Sequence, residues 1–171
     1  MEIDKCQIAE NILARADSSL YFLEHALTIA NMKANDYAWQ RSILMILSYA
    51  FELIIKAEIV FNSENTNTED IDKELKDLGH NIQKILQKID RSGLMTSMGI
   101  HSYRVDTVGK LKKYVINFKD QNHVTVEDFV DIRYDYVKSD YRDIIDHDVI
   151  VNYVSKMISL SKNVKDRKRS A

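Results

Sequence analysis

The chain has 171 residues, the size of one ordinary domain, and its 45% hydrophobic and 29% charged fractions sit near globular averages. A net charge of −2 excludes a globally basic nucleic-acid binder, so any phosphate contact requires a local patch. Zero proline and four glycines argue against a turn-rich β fold and favour long helices, and the lone Cys6 excludes an internal disulfide and a zinc knuckle.

From Ile3 to Asn31, apolar residues recur at three- and four-residue steps through Ile8, Ile12, Leu20, Leu23 and Leu27, which predicts one amphipathic helix. Residues 35 to 61 are apolar nearly all round and predict the central, most buried helix. Its polar exceptions Ser48, Glu52 and Lys56 fall four apart and form one narrow stripe. That stripe is read either as an ion pair on the helix's only wet edge or as a polar seam facing a cleft or a symmetry mate.

The segment Ser63 to Thr68 holds no apolar residue and reads as a loop. A short helix is expected from Asp70 to Leu78, stopped by Gly79, and another through Ile82, Ile85, Leu86 and Ile89. Residues 91 to 102 read as an irregular connection. Val108, Leu111, Val115 and Phe118 step four, three and four residues and predict a further helix, with Lys110, Lys112 and Lys113 on its outer side. Thr125 and Asp128 resemble a helix-start box before Phe129, Val130 and Ile132. A last amphipathic helix runs through Val149, Tyr153, Met157 and Val164, with Asp146 or Asp148 as its cap. The expected domain covers residues 1–165, followed by a basic, frayed tail over 166–171.

Nucleophilic triads, glycine-rich phosphate loops and helical zinc motifs are missing from the sequence. Neither a metal nor a cofactor is expected. The start of the chain lacks the features of a signal peptide, and no stretch approaches about 20 apolar residues, so a cytoplasmic protein with no membrane association is expected.

Three landmarks follow in order: Phe51-Glu52-Leu53-Ile54-Ile55-Lys56, then Leu78-Gly79-His80-Asn81-Ile82, then Asp131-Ile132-Arg133-Tyr134-Asp135-Tyr136. On these the chain resembles bacterial proteins of the HEPN superfamily, over residues 36 to 161. The resemblance implies an all-α, up-and-down bundle of five to six helices that pairs as a homodimer. It also implies a module that interacts with nucleotide or RNA, or with a cognate protein partner, in a toxin-antitoxin or phage-defence setting. Ribonuclease members of that superfamily carry Arg, four to six residues, then His, which Arg142-Asp143-Ile144-Ile145-Asp146-His147 matches.

Such a pair suits metal-independent RNA cleavage, with His147 moving the proton of a ribose hydroxyl and Arg142 stabilising charge on the phosphate. Against this, residues five apart on a helix point about 140° apart, and Asp140, Asp143, Asp146 and Asp148 crowd the pair. The other reading makes this segment a capping loop. Glu52, Lys56, His80, Arg133 and Tyr134 are read as a structural bracket inside the bundle or as a pocket for nucleotide or another phosphate. A purely structural dimeric bundle is the remaining alternative.

Overall fold

A computed structural model describes residues 4–29, 37–108, 111–128 and 145–169. Helices α1 (Lys5–Ile29) and α2 (Tyr37–Phe61) form the expected long pair. Lys5 at the start of α1 donates to the carbonyl of Ser63, just past the end of α2, so the two run antiparallel. Helix α6 (His147–Arg169) is the third member of the bundle. Asp17 of α1 accepts hydrogen bonds from Ser161 and Lys165 of α6, while Arg167 reaches Glu58 of α2 at 3.2 Å. At the opposite end the Gln40 side chain donates to the Ile145 carbonyl at 2.7 Å and accepts from its N–H at 3.0 Å.

Between α2 and α6 in sequence lie α3 (Thr68–Leu78), α4 (Ile82–Arg91) and α5 (Leu94–Ser97). Asn67 and Asn81 cap α3 and α4 by accepting from the N–H groups of Asp70 and Lys84, which satisfies donors that a helix start leaves bare. The buried face of α4 is Ile82, Ile85, Leu86 and Ile89, the spacing read from the sequence. Gly79 ends α3 with a φ of 54°, a left-handed value that other residues adopt only with strain.

The fold is not all-α. About 69% of the described residues are helical, in six helices, but they are joined by a three-stranded antiparallel sheet, so the up-and-down bundle is corrected to a helical bundle with a sheet packed on it. Strands β1 (Ile100–Val108), β2 (Leu111–Phe118) and β3 (His123–Glu127) pair in chain order. Within the expected helix over 108–118, Val108 instead ends β1 and Leu111–Phe118 is the central strand β2. Alternation places Tyr114, Ile116, Phe118, Val124 and Val126 in the hydrophobic core, all at most 4% exposed. Aromatic and β-branched residues at period two prefer this pleated surface to a helix.

The expected helix-start box is corrected as well. Thr125 lies in β3, and Asp128 caps a different helix: its Oδ1 accepts from the Ile82 N–H at 2.7 Å, and its Oδ2 from the Tyr114 hydroxyl at 3.1 Å. One carboxylate thus ties the central strand to the start of α4. Asp128→Ala is expected to lower stability by about 1–3 kcal/mol, the sum of a lost cap and a lost buried hydrogen bond, measurable as a shifted urea midpoint. The short helix expected after it falls outside the described residues. Among the described residues no helix is long and apolar enough to cross a membrane.

Candidate functional site

Of the five residues assigned to the bracket or pocket, the structure brings three together. Glu52 sits on α2 with 1% of its surface exposed, in a helix apolar nearly all round. Lys56, one turn later, donates to its Oε1 at 2.7 Å and also to the carbonyl of Gly79. Nδ1 of His80 lies 3.0 and 3.2 Å from the two Glu52 oxygens. The left-handed turn at Gly79 is what delivers both its own carbonyl and the next side chain to this buried carboxylate. Arg133 and Tyr134 lie outside the described residues.

Ser48 leaves the stripe. Its hydroxyl accepts from the N–H of Glu127 at 3.0 Å, so one edge of α2 serves two places: Ser48 faces the sheet, while Glu52 and Lys56 face the corner between α3 and α4. Arg142 lies outside the described residues, while His147 is the first residue of α6. The His147 Nδ1 is 3.8 Å from Asp148, and its Nε2 is buried with no hydrogen-bond partner among the described residues. Asp146 occupies the cap position, its carbonyl accepting from the N–H groups of Val149 and Ile150. No group of three His, Cys, Asp or Glu side chains able to hold a metal occurs among the described residues.

A polar cleft of about 260 Å³ lies over the face of the sheet turned away from the core. The strand register builds its floor. Asp106, Lys113 and Glu127 stand side by side across the three strands, and Arg104, Val115 and Thr125 form the next row. Leu44 and Ser48 of α2 and Tyr153 of α6 supply the walls, with His123 and Ile145 at the margin.

Several of these polar groups are almost fully buried and fixed by partners. Glu127, 3% exposed, is held by Arg41 at 2.8 Å; the Tyr153 hydroxyl meets Thr125 at 3.2 Å; and the His123 ring stands edge-on to Tyr153 with centroids 6.0 Å apart. Arg104 and Asp106 pair at the open side. Counting Arg41 behind Glu127, three cations stand against two carboxylates, although the whole chain is net negative. No family model matches this chain, and no curated protein or solved structure matches it either.

The cleft residues were hidden in the sequence because they converge only through the strand register. Read as a helix, Lys113 belongs to an outer basic side; in the hairpin it lies between Asp106 and Glu127. Elsewhere, burial pushes the Glu58 carboxyl above the usual 4.5, while Arg167, Ser97 and Asn62 pull the other way.

Proposed function

We propose that this protein is a non-catalytic binding module that takes a small phosphorylated ligand of the nucleotide class in the cleft over the sheet. The observation that carries this reading is the convergence of oriented polar groups on one cavity: the buried Ser48, Glu127 and Tyr153 and the half-buried Thr125, beside Arg104 and Lys113. Cavities of this kind, with a few fixed polar groups among apolar walls, are where small ligands bind. The two cations suit a phosphoryl group, since charge-assisted hydrogen bonds are the strong ones. The carboxylate of Glu127 and the hydroxyls of Thr125 and Tyr153 suit the donors and acceptors of a base or ribose.

The bracket of Glu52, Lys56 and His80 is then structural, and metal-independent RNA cleavage by Arg142 and His147 is the second reading. It carries less weight because Nε2 of His147 is buried.

The test is calorimetric titration with the four nucleoside monophosphates, the matching nucleosides and inorganic phosphate. Binding of at least one monophosphate is expected, weakened about 10- to 100-fold by Lys113→Ala, the loss of one charge-assisted contact of about 1.5–3 kcal/mol. Equal binding of the bare nucleosides, or no binding by any monophosphate, would sink the proposal.

A further inference from the structure

The two carboxylates of the cleft are not alike. Asp106 stands at the open side with both oxygens 3.2 Å from Nε of Arg104, so it is already engaged. Glu127 is almost fully buried and held at two points: Arg41 donates to its Oε2 at 2.8 Å, and its own N–H donates to the Ser48 hydroxyl. Its Oε1 has no hydrogen-bond partner among the described residues, yet it is not sealed into the interior. Glu127 lines the cleft, so this fixed oxygen is left to whatever occupies it.

A carboxylate only accepts, so the group that meets Oε1 must be a donor. A second hydrogen-bonding group stands two residues away on the same face of β3. There Thr125 Oγ1 and the Tyr153 hydroxyl are 3.2 Å apart, and whichever of them donates to the other, one hydroxyl proton is left over. Strand β3 thus presents an acceptor and a donor, about 7 Å apart at the backbone. Val115, buried on β2 between Thr125 and Arg104, gives an apolar floor beside them.

The distance to the cations fixes the kind of donor. Lys113 is one strand from Glu127 and Arg104 is two, which at about 4.8 Å per strand puts a phosphoryl group held by them about 5–10 Å away. The hydroxyls of a ribose lie in that range from its 5′-phosphate, and the amino groups of the bases lie well beyond it.

We infer that Glu127 reads the vicinal diol of a ribose, so that the cleft selects a ribonucleotide with both hydroxyls free. This rests on the binding reading above and narrows it. One hydroxyl donates to Oε1, and its neighbour accepts the spare proton of the Thr125 and Tyr153 pair. Arg41 is a positioning residue, which aims Oε1 by holding Oε2. An acidic side chain on the ribose hydroxyls is also how dinucleotide-binding folds hold the sugar. A nucleotide inside an RNA chain has no free 3′-hydroxyl and lacks the diol, so a mononucleotide fits this arrangement and polymeric RNA does not. A ligand without the hydroxyl leaves a buried charge facing carbon, and sites built to bond a hydroxyl reject such analogues strongly.

The test is calorimetric titration of the full chain with the four nucleoside 5′-monophosphates and their 2′-deoxy and 3′-deoxy counterparts. Each deoxy form is expected to bind about 10- to 100-fold more weakly than its parent, whatever the base. In Glu127→Gln the amide oxygen still accepts from Arg41, but a neutral hydrogen bond is about half as strong as a charged one. The preference should then fall to about 3- to 10-fold, with helical content unchanged. Where that variant does not fold, the comparison in the unaltered chain stands on its own. Equal binding of parent and deoxy forms overturns the inference and leaves the nucleotide-binding reading intact, whereas no binding by any monophosphate removes both. A preference undiminished in folded Glu127→Gln overturns the assignment to Glu127.

Discussion

Replacing Lys56 by Met is expected to lower the stability of the fold by about 3–5 kcal/mol, the cost of leaving a buried charge without its partner. The target of that cost is Glu52, only 1% exposed, which would keep the half-exposed His80 as its remaining contact in the bracket. Methionine retains the aliphatic volume of the lysine stem, so the loss reports charge and hydrogen bonding rather than a cavity. The Gly79 carbonyl also loses its donor. For a domain of this length the melting temperature should fall by about 6–20 °C. The paired substitution Lys56→Met with Glu52→Leu should recover much of the loss, since an apolar pair of similar size often replaces a buried ion pair without cost. A single variant that melts within a degree or two of the parent would show that Glu52 does not depend on Lys56, and the bracket would lose its structural role.

Of that bracket, the pairing of Glu52 with Lys56 was legible in the sequence for a definite reason. Two charged residues one turn apart on a helix otherwise apolar all round demand either water or a partner; that the Gly79 carbonyl and His80 are among those partners emerges only from the tertiary fold. The long helices were legible too, because their apolar residues repeat every three or four positions over more than five turns. The third residue of the polar stripe misled: Ser48 shares the helical spacing of Glu52 and Lys56 but is claimed by the backbone of Glu127, a contact spanning 79 positions.

The sheet was missed through two local coincidences. Val108, Leu111, Val115 and Phe118 fit a helical stripe, while the competing alternation Tyr114, Ile116, Phe118 is only three residues long. Scarcity of glycine and proline also counted against strands, but a three-stranded meander needs only two tight connections. Gly109 and Lys110 separate the first pair of strands. At the second, Gln121 adopts a φ of 66° and donates to the Phe118 carbonyl at 3.1 Å, work more often done by glycine or asparagine. Once the register was lost, so was the cleft, because Asp106, Lys113 and Glu127 are neighbours across strands and not along them.

Ile116 separates the two readings of that segment by experiment. On a helix whose inner stripe is Val108, Leu111, Val115 and Phe118, residue 116 points about 120° away from the stripe's centre, and truncating it should cost no more than about 0.5 kcal/mol, as at other surface positions. In the hairpin it is fully buried, pairs with Tyr103 on one side and Val124 on the other, and belongs to the core shared with the helices. Ile116→Ala should then remove about 2–5 kcal/mol, transfer energy plus the cavity left behind, and lower the melting temperature by about 4–20 °C. Lys112→Ala, exposed and outside the core, should change stability by less than about 0.5 kcal/mol and serves as the control on the same strand. Denaturant titration of the two variants side by side decides the matter: equal, small losses at both positions would return this segment to a helix and dissolve the floor of the cleft with it.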